Sequence, residues 1–300
     1  MSGTSLDRRT KDTITKIHDE IYEKFNRTYI DVFLCGGASS HKDISTRDLV
    51  RKELDKKKNI RILYPEDIFI EILNKDKDSN LLSLEKFLAN NCDIICIICE
   101  SAGSLVELGA FTNNDETINK VIAVIEEKRK KDKSFIMLGP IKMIKRKNKN
   151  NVVFYSKDKI SILNDNLDKM FSTNRINKIN ASKSSEKRTV NSLIGLYYFI
   201  PILFFFFGSL KSDTLLEYLT FIFQEKGFSH KDLNMLYKAS LRLLYKDRYI
   251  SSNSINKNIM YKLTEKGYEN VNNILANIKM PNKTKLLDWI KFGIMNHKYY

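Results

Sequence analysis

Apolar residues in the first half of the chain fall in short, nearly solid runs: 29–35, 60–64, 94–99, 121–125 and 152–155. Runs of this length and density predict strands buried on both faces. Between them the period changes to that of a helix, over residues 11–25 and 45–57 and again over 81–91, where Leu81, Leu84, Phe87 and Leu88 share one face. The charged stretch 128–149 is expected to be a basic loop. Strand and helix in alternation predict an α/β fold, a doubly wound, Rossmann-like parallel sheet.

The second half has a different pattern. Residues 174–188 are polar and lack large apolar side chains except Ile176 and Ile179, as an interdomain linker would. The uncharged run 190–210 is long enough to span a bilayer. Pro201 at its middle, Tyr197 and Tyr198 near its centre and the amphipathic continuation after it favour a buried core helix. Two helices follow, 212–224 and 229–245, the second opening on Ser229 and Asp232 at capping-box spacing. A hairpin of 249–251 with 260–263 and a final helix from Thr264 complete the layout of a winged helix-turn-helix. Lys238, Arg242, Lys246 and Arg248 would meet phosphates from the second helix, with Lys257 and Lys262 on the wing; winged helices also serve as protein-docking modules. The division is therefore a sheet domain at 1–173, a linker at 174–189 and a mainly helical winged-helix domain at 190–300.

Charge separates the halves. Residues 1–120 carry 18 Lys and Arg against 21 Asp and Glu, whereas the remainder of a chain totalling 51 and 36 is 33 − 15 = +18. Such asymmetry favours a polyanionic partner, nucleic acid above all. The four cysteines lie in or beside apolar runs behind no secretory signal, which fits a reducing cytoplasm, and the four histidines have no metal-ligand spacing. No metal site is expected.

The chemistry concentrates after the third run, in Cys99-Glu100-Ser101-Ala102-Gly103-Ser104-Leu105-Val106-Glu107. Small residues 101–104 read as the turn into a helix, which places Glu107 in its first turn at the carboxyl end of a parallel sheet, where ligands bind. There the helix dipole favours an ionised carboxylate suited to a nucleophile or cation stabiliser; an acidic residue is also an ordinary helix-opening choice. Gly36 and Gly37 end the first strand and Glu66 and Asp67 follow the second, in position for phosphate and ribose or simply for turn and helix initiation. Ser101, Gly103 and Ser104 join the substrate-binding set, Gly109 suggests the close approach of a backbone or ligand, and Asn114 is expected to share the helical face of Glu107 and orient it.

Taken in order, Leu34-Cys35-Gly36-Gly37, Tyr64-Pro65-Glu66-Asp67, Leu81-Leu82-Ser83-Leu84-Glu85, the 100–114 segment and Ser134-Phe135-Ile136 with Gly139-Pro140 resemble retron effector proteins of the nucleoside 2-deoxyribosyltransferase-like class. The resemblance implies an antiphage toxin restrained by a retron reverse transcriptase and its multicopy single-stranded DNA. It further implies cleavage of the N-glycosidic bond of NAD or a related nucleotide, bound as substrate rather than cofactor, with Glu107 matching the transferase nucleophile. Assembly into homo-oligomers is common among similar folds. Two departures matter: Ala102 replaces the usual proline, and Ser101 stands where ordinary deoxyribosyltransferases carry an aspartate. The second favours hydrolysis over base exchange. The rival readings are a catalytically silent nucleotide-sensing scaffold or DNA-binding module, and a base-exchanging nucleoside deoxyribosyltransferase.

Overall fold

The computed structural model describes residues 6–25, 30–57, 60–64, 92–181, 189–255, 258–278 and 281–299. The chain divides into two compact units, Tyr29–Glu186 and Met1–Thr28 with Lys187–Tyr300.

The first unit is built on a five-stranded sheet of β1 (Ile30–Cys35), β2 (Ile60–Leu63), β3 (Ile94–Ile98), β4 (Val121–Glu126) and β5 (Val152–Tyr155). Its order is β2-β1-β3-β4-β5 and every pair is parallel. Alternation along each strand sends residues to opposite faces. Ile30, Val32 and Leu34 of β1, with Ile94, Cys96 and Ile98 of β3, form a core against Val50 and Leu54 of α2 (Thr46–Leu54) and Leu163, Leu167 and Phe171 of α6 (Ile160–Ala181). The opposite face is covered by α3 (Ala102–Thr112) and α5 (Pro140–Lys147). With both faces covered, β1, β3 and most of β4 are buried, hence the solid apolar runs.

Two expectations need correction here. The 128–149 stretch is not a plain loop: it contains a short helix, α4 (Phe135–Leu138), and then α5, with Pro140 at the first position, where its missing N–H costs nothing. The helical backbone of α6 runs through Ala181, into the segment read as linker. The amphipathic helix expected over 81–91 lies outside the described residues.

The second unit begins with α1 (Arg8–Lys16), which continues as a π-helical stretch, Ile17–Tyr22, and a last turn, Glu23–Phe25. A division at residue 173 would assign this segment to the sheet, but it clusters with the C-terminal residues. The reason is its apolar stripe. Ile14, Ile17, Ile21 and Tyr22 are at most 1% exposed, and the rings of Tyr22 and His18 pack edge-on against Phe199 at 5.3 and 5.7 Å. Phe199 belongs to α7 (Leu193–Phe207), a buried helix with Pro201 inside it, as the core-helix reading expects. After α7 come β6 (Leu210–Lys211), α8 (Ser212–Glu225), α9 (Leu233–Lys246), β7 (Ile250–Ile255), β8 (Asn258–Leu263), α10 (Glu265–Asn277) and α11 (Lys283–Tyr299). The three strands pair antiparallel in the order β6-β8-β7. The capping box expected at Ser229 does not form: Asp232 is the N-cap without a side-chain bond, and the Ser229 hydroxyl accepts the Lys231 N–H. Among the described residues no helix is long and apolar enough to cross a membrane.

Candidate active site

The sheet order reverses direction between β1 and β3: from β1 the chain moves outward to β2, then returns across β1 to begin β3, β4 and β5. Two helices on opposite faces leave a crevice at such a switch point, above the carboxyl ends of the strands. Gly36 and Gly37 follow β1, and Glu100 to Glu107 follow β3, so both sequence-predicted segments reach this crevice.

Helix α3 begins one turn earlier than expected. Ser101 is extended, its hydroxyl accepts the Ser104 N–H at 3.2 Å, and the Ser104 hydroxyl in turn accepts the Ser101 N–H at 3.1 Å. This is a reciprocal capping box with serine in the place of glutamate. Glu107 is consequently the sixth helical residue, in the second turn, beyond the reach of the first-turn dipole. It is half-buried, flanking the stripe of Ser104, Leu108 and Phe111 that packs inward. Its negative charge is felt at the Cys99 thiol, where burial pushes the pKa up to about 12, Arg129 opposes the rise and Glu107 adds to it. Glu107, Arg129 and the end of β3 therefore share one neighbourhood.

Several companion residues have other roles. Ser104 is 1% exposed and its hydroxyl also donates to the Ser101 carbonyl at 2.9 Å, so it serves the cap rather than a ligand. Gly103 is exposed in the first turn. Asn114 does not share the helical face of Glu107, because α3 ends at Thr112 and Asn113 caps it; the Asn114 side-chain oxygen instead accepts the Glu116 N–H at 2.8 Å. No backbone approaches Gly109: a Cβ there would meet nothing within 4 Å. Glu66, Asp67 and Lys257 lie outside the described residues.

Sequence reasoning missed Glu100. One carboxylate oxygen accepts N–H groups from Gly37 at 3.2 Å and Arg47 at 3.0 Å, and the other accepts that of Thr46 at 2.8 Å. Backbone amides at a helix N-terminus form an anion site. Here the protein fills it with its own carboxylate, so the Gly37 N–H is not directed at a phosphate. Gly36 serves packing, since a Cβ would stand 2.8 Å from the Cβ of Arg47.

A second group unmarked by spacing lies at the ends of β1 and β2. The ring of Tyr64 carries the guanidinium groups of Arg47 and Arg51 at 4.2 and 4.3 Å, and its hydroxyl donates to Asp48, which also accepts from the Ser39 hydroxyl. Burial and the Asp48 carboxylate push the Tyr64 phenol up to about 12. Burial alone would raise Asp48; the bonds from Ser39 and Tyr64 and the charge of Arg47 outweigh it and hold Asp48 below the usual range. Among the described residues no cluster of His, Cys, Asp and Glu is arranged to hold a metal.

In the second unit, Lys238, Arg242, Tyr245 and Lys246 lie exposed along one face of α9; Arg248 just beyond it has a left-handed backbone (φ 60°), and Lys262 is exposed on β8.

Comparison with known proteins follows the same outline. The chain is 37% identical over 137 residues to an Escherichia coli protein named "Retron Ec86 putative ribosyltransferase/DNA-binding protein", and 37% identical over 118 residues to the Retron Ec73 protein of the same name and organism. The aligned stretches are 45% and 38% of this chain, and they cover 44% and 37% of the two relatives, so the match spans under half the length of each. A family model described as STM3845 retron effector protein matches residues 43–252, most of the chain, from α2 through β2 to β5 of the sheet and α3 into β7. The chain therefore belongs to the STM3845 retron effector protein family.

Proposed function

We propose that the sheet unit cleaves the N-glycosidic bond of NAD or a related nucleotide, with Glu107 as the group that meets the anomeric carbon. The observation that carries this reading is the position of Glu107, half-buried on the helix after β3 at the switch point of the sheet, near enough to the end of β3 for its charge to act on the Cys99 thiol. The ribosyltransferase wording in the names of the two Escherichia coli relatives supports the same class of chemistry.

Departure of nicotinamide from its ribose develops oxocarbenium character at the sugar. A carboxylate below that carbon stabilises the charge or forms a transient ester, which water then opens. Water adds to the ribosyl carbon, nicotinamide leaves as a neutral base with the bonding electron pair, and one proton is released. A strong general acid is not required, which suits a site whose carboxylate has no histidine beside it in sequence. Gly37 being engaged by Glu100, a candidate cation for a substrate phosphate among the described residues is Arg129, whose charge acts on Cys99 as that of Glu107 does.

The second unit acts as a winged helix. Its order α7-β6-α8-α9-β7-β8, with the β6-β8-β7 sheet, supports that reading, and Lys238, Arg242, Lys246, Arg248, Lys257 and Lys262 are the residues assigned to nucleic acid. In this scheme the protein is the antiphage toxin of a retron, held by the reverse transcriptase and its multicopy single-stranded DNA. The test is nicotinamide release from NAD by the purified chain, alone and with its reverse transcriptase–DNA partner, for wild type against Glu107→Gln. Release abolished by the isosteric substitution supports a glycohydrolase; binding of NAD without turnover by either form supports the sensing scaffold.

A further inference from the structure

The strongest concentration of charge in the chain lies on the sheet unit rather than on the winged helix. Residues 128–149 hold 10 Lys and Arg and 1 Asp, 10 − 1 = +9, whereas residues 187–300 hold 17 basic and 8 acidic side chains, 17 − 8 = +9 over a stretch about five times longer. A helix C-terminus favours one or two cations, so the last turn of α5, Lys145, Arg146 and Lys147, is partly explained by the dipole. The remaining excess is not.

Folding gathers these cations. The ammonium groups of Lys130, from the loop after β4, and Lys145, from α5, approach the same Phe154 ring at 5.3 and 5.2 Å from its centroid. Both cations are thereby held against one ring, which concentrates positive potential on this face. Lys142, Arg146 and Lys149 are exposed, and among the described residues the ion pairs of the segment are peripheral, Lys128 with Glu126 and Lys147 with a fully exposed Asp115. Apolar side chains are interleaved with the lysines: Phe135 is 87% exposed and Leu138 59%. Phosphates need the cations, and unpaired bases need a bare ring on which to stack. A basic surface carrying a nearly naked phenylalanine fits a strand with its bases unpaired better than a duplex.

We propose that the face formed by the β4–α4 loop, α5 and Phe154, with Phe135 as its stacking platform, binds single-stranded nucleic acid. The proposal stands independently of the glycosidic chemistry. It also places the polyanion near that chemistry, because α5 packs on α3, the helix of Glu107, and the same loop supplies Arg129.

The test is fluorescence anisotropy of a labelled oligothymidylate titrated with the full chain over a range of salt concentrations. The proteins compared are wild type, the combined variant Lys142→Glu/Arg146→Glu/Lys149→Glu, Phe135→Ala, and Lys238→Glu/Arg242→Glu on α9. These side chains are exposed, so thermal unfolding should be unchanged in each. The combined variant should bind at least about tenfold more weakly and flatten the log–log salt slope by about 2, as loss of three phosphate contacts requires. Phe135→Ala should weaken binding roughly tenfold without changing the slope. These results support the proposal whether or not the α9 variant also weakens binding. Unchanged affinity in the combined variant, no binding by wild type, or equally effective competition by a duplex of the same length would overturn it.

Discussion

The carboxylate of Glu100 accepts the backbone N–H of Gly37 at 3.2 Å, fastening the end of β3 to the end of β1 across the mouth of the crevice. With Thr46 and Arg47 as further donors, this side chain also seats the start of α2. Glu100→Gln keeps the shape but turns an NH2 toward backbone donors. It should cost about 2 kcal/mol, the scale of hydrogen bonds to a charged group. Urea unfolding measures this directly, and an unmoved midpoint would mean that the three amides are satisfied without the charge.

Two glycines at the site should respond in opposite directions. Gly36→Ala drives a Cβ to 2.8 Å from that of Arg47 and should destabilise by about 1 to 3 kcal/mol. Gly109→Ala in α3 meets nothing and should stabilise by up to about 1 kcal/mol through helix propensity. Thermal unfolding of the two variants decides both.

His18 should make the protein less stable in mild acid. Burial, the largest effect, lowers its pKa from the usual 6.5 despite the hydrogen bond to Asp19. As pH falls through 6.5 the unfolded chain takes up the proton first, so the stability present above 6.5 is lost as pH approaches the lower native value. Asp19 is also depressed: burial opposes the shift, but Lys226 and His18 outweigh it, so its contribution is lost only as pH falls below the usual 3.8 of an aspartate. The unfolding midpoint of wild type should fall between about pH 7.5 and about pH 5.5, and His18→Phe should flatten that dependence. An equal slope in both proteins would assign it to other groups.

The thiols should be inert in the folded protein. All four cysteines are buried, and burial raises Cys96 and takes Cys99 to about 12. Native protein at neutral pH should therefore react slowly with Ellman's reagent, and denatured protein should release four equivalents. Rapid modification of Cys99 in the native state would show that the end of β3 is open to solvent.

The strands were legible because a sheet covered on both faces writes itself as uninterrupted apolar sequence, and Ile94 to Ile98 is the plainest instance. The position of Glu107 on the helix after β3 was legible for the same reason. Its turn was not, because Ser101 and Ser104 cap each other with hydroxyls and start α3 at Ala102; the Ser-x-x-Ser spacing was the available signal. Charge hid α5, although Gly139-Pro140 marked its start. The partners of Glu100 and the stack of Arg47 and Arg51 on Tyr64 come from separate segments, and no local spacing announces a non-local meeting. The allegiance of α1 was hidden likewise, since its apolar stripe would suit a sheet as well as it suits Phe199.

That allegiance has a consequence in time. Residues Met1–Thr28 are made before the sheet unit, yet the unit they belong to is closed by Lys187–Tyr300, with the whole sheet unit translated in between. At about 5 to 20 residues per second, Ile17, Ile21 and Tyr22 wait roughly ten to thirty seconds before α7 emerges. The sheet unit can finish folding on the ribosome during that interval, whereas the second unit becomes complete only after the residues from Lys187 onward have emerged. A chain cut short before residue 187 would keep the five strands of the sheet unit and Glu107 and present α1 with its apolar stripe uncovered, an aggregation-prone surface that the finished protein hides.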